Sequence, residues 1–227
     1  MKNSRIKKHE GTRKYSLLLP MLLFILNSCI GISADIQMRK DGSGSITLEY
    51  RFSRMAETAG RLDGNEKYPV IPIGRADWER SVQRVEGMRL VSFSSREDAK
   101  DIINKATLNF TNTDALLKFL DHSGRRASVT RENGENKLHI TLNERPSSQM
   151  NSELLDLVWE VCGGYSFKIS LSAPKNAAID FTDGEGKPGI PPATEAGSSS
   201  GKKTAVSIDT AAIFTAEAGV GVDLIWD

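Results

Sequence analysis

Apolar and polar residues alternate with a period of two from residue 30 onward: Ile30, Ile32, Ala34, Ile36 and Met38 share one side, as do Ile46, Leu48, Tyr50 and Phe52. Such alternation puts one face of a strand on a core. Asp41, Gly42, Ser43 and Gly44 lie between the two runs and supply turn residues, so a hairpin is expected here. Gly60, Gly64, Pro69 and Pro72 interrupt the tract 53–74, which reads as a surface loop. Trp78, Val82 and Val85 then mark one face of a short helix that Gly87 can end.

A second unit repeats this order. Extended stretches near 88–93 and through Ala106, Leu108 and Phe110 lead to a helix carrying Leu116, Leu117 and Leu120, with Thr111, Asn112 and Thr113 as N-cap candidates. In a third unit Ala127 and Val129 run through Asn133 and Gly134, the favoured pair for a tight hairpin turn, into Leu138, Ile140 and Leu142. A helix over 147–161 completes it. Further strands are expected at 165–171, 177–181, 206–208 and 220–226. Between 183 and 203 the only large apolar residue is Ile190, so this segment reads as a flexible insertion, with a functional binding loop as the alternative. Hairpins joined by amphipathic helices predict an α+β fold: a mostly antiparallel sheet built from repeated strand-strand-helix units, with helices on one face.

The beginning of the chain differs in kind. Lys2, Arg5, Lys7, Lys8, Arg13 and Lys14 precede a run, 15–26, in which only Tyr15, Ser16 and Pro20 are not plainly apolar. Charge followed by a short apolar run is an export signal, and the run falls short of the ~20 residues that a spanning helix needs. An uncleaved anchor helix or a buried core helix are the alternatives. Leu26, Asn27, Ser28 and Cys29 close the run, and this resembles the lipobox of bacterial lipoproteins, with Asn27 as in the relaxed form found in spirochaete lipoproteins. The resemblance implies that residues 1–28 are a removed signal peptide and that Cys29 is the lipidation site, with a diacylglyceryl group on its sulfur and further acylation of the freed amine. Two or three acyl chains anchor a protein without any spanning helix. Residues 29–227 are then a single exported domain.

Composition sharpens this in two ways. The formal net charge of +1 conceals a basic leader, because from residue 29 onward 24 Lys and Arg face 28 Asp and Glu. An acidic remainder gives no electrostatic reason to expect nucleic acid as a partner. The chain has two cysteines, Cys29 and Cys162. Cys162 continues the helical stripe of Leu154, Leu155, Val158 and Val161, so it reads as a small buried hydrophobe. A Cys29–Cys162 disulfide is the alternative should Cys29 not be acylated.

Catalytic patterns are absent from the sequence. The exported part holds His122 and His139, neither in an HExxH or CxxC setting, and no GxSxG elbow, phosphate loop or dinucleotide fingerprint occurs. His139 alternates with Leu138 and Ile140 and is expected on the polar side of its strand, solvated. The Asp-Gly pairs at Asp41, Asp63 and Asp183 lack the ligands and closing Glu of a calcium loop and read as turns. Arg125, Arg126 and Arg131 read as an exposed basic strand rather than a lipid-headgroup site. No catalytic residue, cofactor or metal is expected.

With Cys29 at the mature start, a strand running into Asp41, Gly42 and Gly44, a mixed middle and a late strand reaching Trp226, the layout is similar to the LppM-type bacterial lipoproteins. That resemblance implies an α+β exported domain that binds lipids or glycolipids without catalysis. The expectation is therefore a non-enzymatic lipoprotein, held to the membrane on the exported side of the bacterial envelope by acyl chains on Cys29, either in the outer membrane or on the periplasmic face of the inner one. The alternatives are a surface adhesin or envelope assembly partner acting through its loops, and a hydrolase in which His122 or His139 meets a carboxylate and a hydroxyl.

Overall fold

The computed structural model describes residues 30–54, 74–132, 134–144, 151–183, 194–196 and 202–227. The expected signal peptide, Cys29, the interior of the 53–74 tract, Asn133 and most of the 183–203 insertion lie outside the described residues.

Strands β1 (Ile30–Met38) and β2 (Gly44–Ser53) form the expected hairpin. Its turn is held by Asp41, whose carboxylate accepts from the Ser43 N–H at 3.0 Å and hydroxyl at 2.7 Å. Gly44 is required by close approach, since a Cβ there would lie 2.1 Å from the Gln37 carbonyl oxygen. Helix α1 (Arg75–Gln83) begins where the Asp77 carboxylate accepts from the Gly74 N–H at 3.1 Å. Strands β3 (Met88–Glu97) and β4 (Asp101–Phe110) precede helix α2 (Thr113–Leu120), which Asn112 caps by accepting from the Ala115 N–H at 2.8 Å. Strands β5 (Ala127–Glu132) and β6 (Glu135–Asn143) follow, and then helix α3 (Ser152–Cys162), capped by Asn151. The remaining elements are β7 (Ser166–Ser172), β8 (Ala177–Thr182), β9 (Thr194–Ala196), β10 (Lys203–Asp209), helix α4 (Thr210–Thr215) and β11 (Val220–Trp226).

The class is α+β and the pairing mostly antiparallel, with β1 and β7 the one parallel pair among the described residues. The strands divide over two sheets: β3-β4-β2-β1-β7-β10-β9 and β5-β6-β11-β8. The division falls between β7 and β8, separated by residues 173–176, where the chain leaves one sheet for the other. Nothing in the alternation of β8 distinguishes joining its predecessor's sheet from starting another, so this step is not legible in the sequence. Two short elements were not anticipated: β9, which lies within the expected insertion and pairs with β10, and α4.

Both sheets turn one alternating apolar row of each strand toward one core. Ala34, Ile36, Ile46, Leu48, Leu108, Ile169 and Leu171 come from the larger sheet, and Leu138, Val222, Leu224 and Phe181, with Val220, from the smaller. Helices α1 and α2 share that inward side, through Trp78, Val82 and Leu116. Helix α3 lies apart, where Val158 and Cys162 close on Ala211 of α4. Cys162 is 1% exposed, as its place on the helical stripe required. At the edge, β3 carries a bulge that leaves Val91 outside the ladder and 51% exposed. A bulged edge strand is a poor template for pairing with another copy.

Candidate functional site

The inward rows do not fill the space between the sheets and helices. A cavity of about 590 Å³ remains, within the range of small-molecule sites. Its floor is β1, β2 and β7, through residues such as Ala34, Leu48 and Ile169; Ile140 and Leu142 of β6 form a side, and α1 and α2 contribute Trp78, Val85 and Phe119. Ile32, Phe119, Leu120, Ile140, Leu142 and Phe167 point into it and are only half-buried, so apolar surface faces an accessible space. Its exposed lining residues, Arg84, Lys118 and His122, mark the mouth.

Local sequence explains this arrangement. Helical spacing puts Trp78, Val82 and Val85 on one side of α1, and Arg84 follows as its C-cap. In α2, Leu116 and Phe119 face inward while Lys118 occupies the exposed last turn. A cation at a helix C-terminus is favoured by the partial negative charge there. The Trp78 ring lies between Tyr50, with centroids 5.7 Å apart and 15° between planes, and Phe119, at 6.4 Å and 24°. Such offset aromatic stacking gives a stiff wall. Burial pushes the Tyr50 phenol up to about 12, so it stays neutral at physiological pH. Among the described residues two buried polar groups have no hydrogen-bond partner near here: the Trp78 indole N–H, on the wall, and the amide of Asn104, the register neighbour of Tyr50. Beyond the mouth, the turn after α2 is tied by Asp121, whose carboxylate accepts from Ser123 and from the Arg126 and Ala127 N–H groups. Those hydrogen bonds hold Asp121 well below the usual carboxylate range.

His122 and His139 go to different places. His122 sits at the cavity mouth. His139 faces the outward side of the smaller sheet as expected, but it is paired rather than simply solvated: Nδ1–H donates to Asp223 Oδ1 at 2.6 Å, and Nε2 lies 3.3 Å from Thr141 Oγ1. Lys137 Nζ stands 3.2 Å from the other Asp223 oxygen. Carboxylate, imidazole and hydroxyl therefore do meet, on a sheet face away from the cavity and with the neighbouring backbone N–H groups committed to the β6–β11 ladder. What this cluster does is clasp β6 to β11. Gly221 admits it, because a Cβ there would come within 2.8 Å of the His139 ring.

Among the described residues no group of three or more His, Cys, Asp or Glu side chains is placed to hold a metal, and no helix is long and apolar enough to cross a membrane. Arg125, Arg126 and Arg131 are exposed, with Arg126 paired to Glu144 at 3.4 Å. Cys29, the expected lipidation residue, lies outside the described residues, one position before β1 begins. The cavity itself was missed in the sequence. Its only linear trace is a cation at or near the last turn of each of two successive amphipathic helices, Arg84 and Lys118, and neither stands out without the fold.

No family model matches the chain, and no curated protein matches it in sequence. Among solved structures it is similar to the folded domain of the LppM protein of Mycobacterium tuberculosis, determined by NMR, with 9% identity, a TM-score of 0.43, and coverage of 87% of this chain and 88% of that one. It is also similar to a crystal structure of an aminopeptidase N family protein from Idiomarina loihiensis, with 10% identity and a TM-score of 0.31 over 86% of this chain and 29% of that one. At these scores both neighbours share an outline with the chain and lend it no family, activity or ligand.

Proposed function

We propose that the chain is a non-enzymatic, lipid-anchored protein of the bacterial cell envelope whose inter-sheet cavity binds a lipid or another amphipathic ligand. The observation that carries the reading is the cavity of about 590 Å³ with an apolar interior and an open, basic mouth. Well-packed interiors leave few voids larger than a water molecule, so an accessible apolar space of this size marks a binding site. The anchor half rests on the sequence, where a basic leader, a short apolar run and Leu26–Asn27–Ser28–Cys29 stand in order. Because β1 starts at Ile30, acyl chains on Cys29 would hold the domain against the bilayer with almost no tether. A cavity so close to a membrane is placed to exchange an amphiphile with it.

Two measurements test the halves separately. Native protein is expected to lose residues 1–28, gain acyl mass and enter the detergent phase, and a Cys29→Ala variant to do none of these; an aqueous, unacylated native protein overturns the anchor. Solvent extraction of the purified Cys29→Ala chain is expected to release a bound amphiphile, and Ala34→Phe, which fills the cavity floor, to abolish it. A chain that carries nothing and takes up no apolar probe overturns the cavity reading.

A further inference from the structure

We propose that the cavity takes one acyl chain of a single-chain anionic amphiphile, whose carboxylate or phosphate is held at the mouth by Arg84 and Lys118. This rests on the cavity reading above and adds both the charge and the number of chains of the ligand.

Charge comes first. The described domain is acidic in balance, yet among the described residues no carboxylate lines the cavity, and all three ionisable residues described at its mouth, Arg84, Lys118 and His122, are basic. Arg84 and Lys118 make no ion pair among the described residues, unlike Arg51 with Asp101 or Lys137 with Asp223, so their charge is not offset by a neighbouring carboxylate. Asp121, three positions after Lys118, is turned into its own loop by the backbone N–H groups of Arg126 and Ala127, and exposed Glu86, two positions after Arg84, makes no ion pair with it. Two cations are thus left facing the opening of an apolar chamber, which is the complement of an amphiphile with an anionic head. A guanidinium meets a carboxylate or phosphate with paired donors, and an ammonium adds a second charge.

Volume fixes the rest. Taking a methylene at about the ~30 Å³ that a water occupies in the liquid, a cavity of about 590 Å³ holds roughly twenty such groups. A single chain of sixteen to eighteen carbons matches that scale.

The test uses the full chain carrying Cys29→Ala, so that its own acyl chains do not compete, and follows binding by calorimetry and tryptophan emission. Probes are palmitate, 1-palmitoyl-lysophosphatidylglycerol, hexadecanol, hexadecyltrimethylammonium and dipalmitoylphosphatidylglycerol. Palmitate or the lysolipid is expected to bind at least tenfold tighter than hexadecanol, and whichever of the two is tighter identifies the head as carboxylate or phosphate. Arg84→Gln with Lys118→Gln is expected to erase that preference while hexadecanol binding is unchanged; both residues are exposed, so the variant folds. Affinity is expected to rise roughly tenfold for every two methylenes from laurate to palmitate and to level off near twenty carbons. Equal binding of palmitate and hexadecanol, a preference that survives the double substitution, or equal binding of the two-chain lipid overturns this proposal alone. Failure of every probe, hexadecanol included, overturns the cavity reading with it.

Discussion

Replacing Trp78 by alanine and, separately, by phenylalanine isolates two contributions of one side chain. The indole is fully buried, stacked between Tyr50 and Phe119, and its N–H has no acceptor. Truncating a core tryptophan to alanine costs ~3–5 kcal/mol, and because Trp78 already borders an open space the lower end applies here, about 3 kcal/mol. Phenylalanine keeps a ring between the same neighbours and loses part of the apolar area, but it also deletes a donor whose burial without a partner costs ~1–3 kcal/mol. The two changes offset, so Trp78→Phe is expected within about 1 kcal/mol of the native protein. With ~2–4 °C per kcal/mol for a domain of this length, Tm should fall by about 6–12 °C for alanine and by less than ~4 °C for phenylalanine. Thermal and urea unfolding by circular dichroism reads this directly, with emission from Trp159 and Trp226 as a second probe. Equal losses for the two variants would refute the reasoning, since they would mean that the N–H holds an acceptor worth as much as the ring.

Three further outcomes are expected. Asn104→Leu replaces a fully buried amide that has no hydrogen-bond partner by an apolar group of similar size, so it should raise stability by about 1 kcal/mol in urea denaturation; a loss would show that the amide is satisfied. Asp223→Asn breaks the clasp with His139 and Lys137 and should cost ~2 kcal/mol, chiefly through the smaller sheet, seen as faster amide exchange in β6 and β11 with little change in β2 and β4. Tyr50 should resist ionisation until about pH 12. Because its folded value lies above the ordinary 10, the unfolded chain releases the proton first, so stability should decline as pH rises from about 10 to about 12. A Tyr50→Phe variant should lack that part of the decline, which absorbance at 295 nm and parallel melts would reveal.

How much of this could be read from the chain depends on whether the signal was local. The β1–β2 hairpin, the Asn112 cap and the burial of Cys162 each follow from residues close together in sequence, and the structure agrees with all three. Of the third helix, expected over 147–161, the structure describes Ser152–Cys162 with Asn151 as its cap, and residues 147–150 lie outside the described residues. The second sheet, the pairing of His139 with Asp223 and the cavity mouth depend on partners far apart: Asp223 is 84 positions from His139, and no pattern near either announces the other. Arg84 and Lys118 read as ordinary solvated helix ends until the fold sets both beside one opening. Local periodicity reports which face is buried, not what lies opposite it.

The place of β11 also governs how this molecule must be assembled in time. It is the last of the described strands in chain order, yet it sits inside the smaller sheet, with Leu224 between Leu138 of β6 and Ile179 of β8. Until it is synthesised, the β5–β6 hairpin and β8 stand as separate edges with unpaired backbone groups, and β8 has no other ladder partner among the described residues. Closure therefore waits on contacts of long sequence separation, which form slowly and leave an aggregation-prone interval. The molecule should accordingly need protection by a holding chaperone during that interval far more than once it is folded.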